Sequence, residues 1–298
     1  MKYYILNINY NKKSKVDYWL DERGLAPIFY GYSTLSQIKS NVGHNIPKGA
    51  YPDAKRFVDT FSKINDDAVI FSIGNEYVYI FQQGGPLCED KKSDPEHNED
   101  ILKYFKIKLL KKVEIKKCPL VLTSIKANRY IQSGTFRDLN NDKLNNDKYL
   151  GNTKALDYVI SGKLVEVPNY ARYLQCLSSL EFETLVAKLL EEQGLFVPAY
   201  KGGFLRNYDL FCRNTSKKII VIDDIDIKPD ASISVQVKLR IEKDHKNILD
   251  RVDLFFCINS ALEDKKIYDW KYLENNISHS SNTKKWLETD LDWVTIKG

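Results

Sequence analysis

The sequence predicts two domains: an α+β domain over residues 1–165, a small mixed β-barrel or curled sheet, and an α/β domain over residues 166–298. Three observations carry this. The 298 residues exceed one average domain and suit two. In the first part, short apolar runs and alternating apolar and polar residues give the rhythm of strands. Beyond Cys176 the order is an amphipathic helix, three strands, a polar helix and a further strand, which is the pattern of an α/β sandwich.

Taken in order, Met1-Lys2-Tyr3-Tyr4-Ile5-Leu6 runs into polar residues within a few positions and lacks a small-residue cleavage site. It reads as a first strand, not a signal peptide. Short helices are expected at Val16–Glu22, Ala54–Lys63 and Thr123–Ile131. Ala68–Ile73 and Tyr77–Phe81 are β-rich and are split by Gly74-Asn75, a hairpin-turn pair. Phe105, Ile107 and Leu109 alternate with Lys106 and Lys108, and Val113 and Ile115 alternate with Glu114 and Lys116. That predicts a half-buried pair of strands with a positive open face. The stretch 88–100 and the nearly all-polar run 138–148 bury too little apolar surface to stay packed, so they read as a surface loop and a loop or linker.

Ser178 and Glu181 form a capping-box pattern for a helix from about Ser179 to Gln193. Phe182, Leu185, Val186, Leu189 and Leu190 share its buried stripe, while Glu181 groups with Lys188 and Glu192 on the opposite, wet face. Glu183 sits at the edge of the stripe, where a carboxylate needs a partner. Strands are expected at Tyr208–Arg213, Lys218–Ile222, Ser232–Leu239 and Val252–Asn259, with a helix near Glu242–Asp250, and then one helix and one strand.

Hydrophobic residues make up 43% and charged residues 29% of the chain, the profile of an ordinary soluble protein. No apolar run is long enough to span a bilayer, so no membrane partner is expected. The five cysteines, at 88, 118, 176, 212 and 257, are scattered and never paired as C-x-x-C. They fit reduced thiols in a cytoplasmic protein and give no sign of zinc. The net charge of +5 is unevenly placed: residues 1–170 hold 26 Lys+Arg against 20 Asp+Glu, and the remainder hold 19 against 20. The positive excess belongs to the first part, which favours a polyanion-binding module there.

Two polar features of the second part demand explanation. Asp209 lies among Tyr208, Leu210 and Phe211 in a predicted strand, where aspartate is disfavoured. Gln236 and Lys238 share one face of a strand whose other face is Val235, Val237 and Leu239. Together they put a carboxylate, an amide and an ammonium around one point.

The order Phe182-Glu183-x-Leu185-Val186, Gly202-Gly203, strand Asp209, then Gln236-x-Lys238 resembles the Mrr-type restriction endonucleases, a branch of the PD-(D/E)xK nuclease fold. The resemblance covers roughly Cys176 to Asn259. It implies a metal-dependent endonuclease of restriction or defence type, acting on double-stranded DNA, modified or foreign. It further implies Glu183, Asp209, Gln236 and Lys238 as catalytic residues. Asp209, Glu183, Gln236 and the backbone at Val237 would hold Mg²⁺ or Mn²⁺, and Lys238 would serve the attacking water. One active site per chain would suggest a homodimer for double-strand cuts. The insert Thr215–Ala231, with Asp223, Asp224, Asp226 and Asp230, is longer than the pattern asks for and is expected to be a β-hairpin or flap. Lys243, Lys246 and Arg251 are candidates for contacts to the nucleic-acid backbone. In the first part, the initial strand and the strand order resemble PUA-like domains of the EVE and YTH kind, which pocket modified bases. Aromatic and arginine side chains there, namely Trp19, Arg23, Tyr30, Arg129 and Arg137, are the candidates for stacking on a base or holding a phosphate. The alternative is a nucleic-acid-binding or ligand-sensing protein with an inactive or ligand-activated nuclease domain.

Overall fold

The computed structural model describes residues 1–10, 13–28, 33–40, 51–90, 101–127, 136–140, 149–200, 208–241 and 246–297. The chain is mixed α+β and divides into two compact units, Met1–Cys118 with Leu122–Gly162, and Lys163–Gly298 with Pro119–Val121.

The first unit contains β1 (Lys2–Leu6), β2 (Asn9–Tyr10), β3 (Lys13–Ser14), β4 (Leu25–Ile28), α1 (Leu35–Ser40), α2 (Tyr51–Phe61), β5 (Ala68–Ile73), β6 (Tyr77–Gln83), β7 (Cys88–Asp90), β8 (Leu102–Glu114), the part of α3 (Leu120–Ser124) from Leu122 onward, β9 (Phe136–Asp138) and α4 (Leu150–Ser161). Its main sheet has the order β4-β8-β6-β5-β1-β9, with β7 also on β8. Only β1 and β5 pair in parallel. β8 pairs β4 through Lys103–Lys106 and β6 through Ile107–Glu114, so one strand serves successive partners and the sheet curls. α2 covers the sheet with Ala54, Phe57, Val58 and Phe61, the i, i+3, i+4, i+7 face of a helix, each fully buried. Phe57 stacks on Phe105 and Tyr4 stacks on Phe136, at centroid distances of 5.6 and 5.0 Å.

The residues expected to form a strand pair, Phe105–Leu109 and Val113–Ile115, lie largely on the single thirteen-residue β8. The break in alternation around Leu110 is a β-bulge: the register slips between Ile80 and Phe81, which pair with Lys111 and Leu109. A bulge shifts the two-residue phase without reversing the chain, and the sequence does not distinguish it from a turn. Gly74 of the β5–β6 turn is fixed by close approach, because a Cβ there would lie 2.3 Å from Asp17 Oδ1. Asp17 accepts the Asn75 N–H at 3.1 Å and the Tyr79 hydroxyl at 2.8 Å.

The second unit contains β10 (Val165–Val167), α5 (Tyr170–Leu174), α6 (Ser179–Glu192), β11 (Phe196–Tyr200), β12 (Leu210–Arg213), β13 (Ile220–Ile222), β14 (Ile225–Ile227), β15 (Ser232–Ile241), α7 (Lys246–Leu249), β16 (Leu254–Ser260), β17 (Ile267–Tyr268), α8 (Trp270–Ser278), α9 (Ser281–Asp290) and β18 (Val294–Ile296). The sheet order is β11-β12-β15-β16-β17, antiparallel as far as β15 and parallel beyond it. Leu254 to Ile258 are all buried, as expected of a parallel strand covered on both faces. The ends of the unit join through the parallel pair β10–β18. The end of the chain holds two helices and two short strands after β16 rather than one of each. Among the described residues, no helix is long and apolar enough to cross a membrane.

The capping box forms: Ser178 Oγ accepts the Glu181 N–H, and Glu181 accepts the Ser178 N–H. Glu181, expected on the wet face, is nevertheless buried at 3% exposure. The periodicity of α6 alone does not register α9, which packs on that side. Burial, with the Asp290 carboxyl hydrogen-bonded beside it, pushes Glu181 up to about 7. Asp290 is also raised by burial, and its Oδ2 is enclosed without a hydrogen-bond partner. Two neighbouring carboxyls, both raised by burial, favour holding a proton over carrying two charges. Because the folded-state value is raised, the stability held by this proton is complete below the ordinary carboxylate range and is lost as pH rises to about 7. The wild-type melting temperature should therefore fall by several degrees between about pH 5 and about pH 8, while Glu181→Gln should lose most of that slope. Equal slopes in thermal melts of the two proteins would contradict the retained proton.

Candidate active site

Asp209 stands immediately before β12, and its N–H donates to the Val235 carbonyl at 2.9 Å, which joins it to β15. Its side chain is turned inward and is 4% exposed. Three successive residues of β15 converge on one carboxylate oxygen, Oδ2. The Val237 N–H donates to it at 3.0 Å and the Lys238 Nζ at 2.9 Å, and the Gln236 amide also donates to it. Alternation along the strand puts Gln236 and Lys238 on the same face. Gln236 is 5% exposed, whereas the Lys238 side chain, 35% exposed, keeps its ammonium in reach of solvent. The carboxylate is thus solvated by protein donors, and the donor open to water is the charged one.

β15 is itself held in register. The Ser234 N–H and hydroxyl both donate to Asp253 Oδ2 at 2.8 Å, and the Asp253 N–H returns to the Ser234 carbonyl at 3.0 Å. That ladder sets the start of β16 against β15, so that Gln236 lies opposite Phe255 and Lys238 opposite Cys257. Asp253 carries no local signal in the sequence. The residue is exposed, and its role appears only when two strands distant in sequence are paired.

Asp209, Gln236, Val237 and Lys238 are therefore brought together. The contact observed for Val237 is its N–H, not a carbonyl turned to a cation. Glu183 is buried on α6 at 7% exposure, and α6 packs on β11 and β15. The oxygens of Asp209, Gln236 and Glu183 suit a hard divalent cation in kind. Among the described residues, however, no three His, Cys, Asp or Glu side chains form a group able to hold a metal ion. The insert forms the antiparallel hairpin β13–β14, turned by Asp223-Asp224 with Asp223 at φ 51°. Asn214 ties its base to the carbonyls of Lys218 and Ile227 at 2.8 Å. Asp223, Asp224, Asp226 and Asp230 are all exposed.

Of the residues expected to meet a base or phosphate, Trp19 is in the core of the first unit at 1% exposure. The π-helical turn Tyr18–Glu22 carries it inward, and the Arg23 guanidinium sits 5.5 Å from its ring. The indole is closed to stacking on a base in this conformation, whereas Arg23 is exposed. Arg137 lies in β9 beside Asp53. Tyr30, Arg129 and Lys243 lie outside the described residues, as do Gly202 and Gly203. Lys246 and Arg251 are exposed. Compared with models of known protein families, with curated proteins and with solved structures, the chain gives no match.

Removing the Asp209 carboxylate strands the buried Gln236 amide and the Val237 N–H, at about 1–3 kcal/mol for unsatisfied buried groups. Chemical denaturation should show Asp209→Ala destabilised by about that amount, with Asp209→Asn recovering part of it through its remaining oxygen. Lys238→Met, whose ammonium is partly hydrated, should cost less. A neutral Asp209→Ala would contradict the three-donor geometry.

Proposed function

We propose that the second unit is a metal-dependent nuclease of the PD-(D/E)xK type with a Gln-x-Lys signature, and that its substrate is DNA recognised through the first unit. The observation that carries this reading is the convergence of Gln236, Val237 and Lys238 on the single oxygen Asp209 Oδ2. Two dispersed signals in the sequence, the strand aspartate and the Gln-x-Lys pair, meet here at one carboxylate with a partly exposed ammonium beside it.

In this reading Asp209 and the Gln236 amide oxygen, with charge from Glu183, hold Mg²⁺ or Mn²⁺. A bound ion of that kind neutralises charge on the phosphoryl oxygens and lowers the pKa of a water. The chain's own residues do the rest. The Lys238 ammonium, released from Asp209 Oδ2, turns to the attacking water and to the negative charge growing on the phosphate. The Val237 N–H keeps Asp209 oriented while Lys238 moves. Gln236 is neutral, so the site carries one carboxylate fewer than an acidic signature would give. A role in restriction of modified or foreign DNA, with two chains cutting two strands, follows from the same reading.

A second reading rests on the neutral Gln236, which leaves Asp209 and Glu183 as the acidic candidates of the site. In it the chain binds nucleic acid and does not cut, or cuts only after a ligand rearranges the site. Plasmid and phage DNA, unmodified and base-modified, incubated with Mg²⁺ or Mn²⁺ separate the two. Wild type should cut, Asp209→Ala should not, and Lys238→Ala should lose at least about 100-fold in rate while binding DNA nearly as wild type does. Binding without cleavage by wild type on every DNA would favour the second reading, and a Lys238→Ala that cuts normally would remove Lys238 from the mechanism.

A further inference from the structure

A second buried carboxylate, in the first unit, is also surrounded by positive groups, but there the cations face outward. Asp53, in the first turn of α2, is 4% exposed. Arg56, one turn further along, donates from Nη1 to Asp53 Oδ1 at 3.1 Å and to the Phe136 carbonyl at 3.3 Å. Arg137 comes from β9 and places Nε 3.8 Å from Asp53 Oδ2, an ion-pair distance too long for a hydrogen bond. That Nε is buried and has no acceptor. The Asp53 side chain is 6% exposed, against 32% for Arg56 and 34% for Arg137. One negative charge is thus enclosed beside two positive ones that are more exposed than it is.

A structural pin between α2 and β9 does not require this arrangement. Arg56 alone joins the two, through Asp53 on its own helix and the Phe136 carbonyl in β9. Arg137 adds a charge, and its side chain donates no hydrogen bond to a described residue, so its outer N–H groups remain for an external acceptor. Two guanidinium planes fixed beside one another match the oxygens of a phosphate, which accepts paired N–H donors. The shared carboxylate holds both arginines before anything binds, which lowers the ordering cost of binding.

We propose that Arg56 and Arg137, oriented by Asp53, form a clamp for a phosphate group, and that in the working protein this phosphate belongs to a nucleic-acid strand. The inference rests on reading the first unit as the recognition part of a nucleic-acid enzyme. It assigns phosphate contact to two residues, with no claim on base recognition.

The experiment uses the full chain with metal chelated, so that binding is read without cleavage. A labelled double-stranded oligonucleotide is titrated across a salt series by fluorescence anisotropy. Arg137→Gln and Arg56→Gln should each reduce the slope of log affinity against log salt by about 0.9 and weaken low-salt binding by about tenfold. Arg137→Lys, which keeps the charge but loses the fork, should retain the slope and still lose affinity. Because Arg137 makes no side-chain hydrogen bond to lose, Arg137→Gln should melt as wild type does. A parallel arm measures inorganic phosphate binding by calorimetry. If Arg137→Gln abolishes phosphate binding while oligonucleotide binding is unchanged, the clamp stands and the nucleic-acid strand is ruled out as its ligand. If neither arm changes, the clamp is overturned and the two arginines are a pin. Since cleavage is not read, a chain that binds through this clamp and never cuts would refute the nuclease alone. A chain whose clamp fails would still be judged as a nuclease by Lys238→Ala.

Discussion

An ionised carboxylate cannot be taken from water into a protein interior unless donors replace its hydration, and Asp209 obtains three of them from adjacent residues of one strand. The geometry is available because β15 is central, antiparallel to β12 on one side and parallel to β16 on the other. A central strand presents its even-numbered side chains to one face at fixed spacing, so Gln236 and Lys238 arrive together while the intervening N–H of Val237 points at the same oxygen. The register that permits this is secured by Ser234 and Asp253 at the start of the two strands. Function, in the reading proposed here, depends on one of the three donors being exchangeable. Lys238 is that donor, since it alone is exposed by a third.

Three buried acidic sites in this chain show three ways of meeting the same constraint. Asp209 Oδ2 is met by one cation and two neutral donors. Asp53 is matched by two cations, both more exposed than the carboxylate they share. Glu181 and Asp290 have no cation between them and are matched by a proton instead. In the readings proposed here, the three solutions would show in solution as dependence on metal, on salt and on pH respectively.

Much of this was legible in the sequence, and the divisions follow physical lines. Local patterns carry that part. The capping box at Ser178 and Glu181, the buried stripe of α6, the alternation along β15 and the helix α2 all depend on residues within a few positions of one another. Asp209 and the Gln236-Lys238 pair stood out because a polar residue in an apolar strand must be explained. What sequence could not supply was contact between distant segments. Glu181 looks wet until α9 is laid over it. Trp19 looks like a stacking platform until the turn that carries it is seen to close inward. β8 looks like two strands because a bulge and a turn both interrupt alternation. The pairing of Arg137 with Asp53 and Arg56 joins residues more than eighty positions apart, and no period announces it.

The central claim is that Asp209 is the anchor of a divalent-cation site, and cation binding tests it without reference to substrate or turnover. Calorimetric titration of Mn²⁺ into the full chain, wild type beside Asp209→Asn, is the direct measurement. The account predicts a site in wild type that Asp209→Asn abolishes, with Lys238→Met binding Mn²⁺ at least as tightly as wild type because the competing ammonium is gone. Wild type that takes up no Mn²⁺, or an Asp209→Asn that binds it unchanged, would contradict the account.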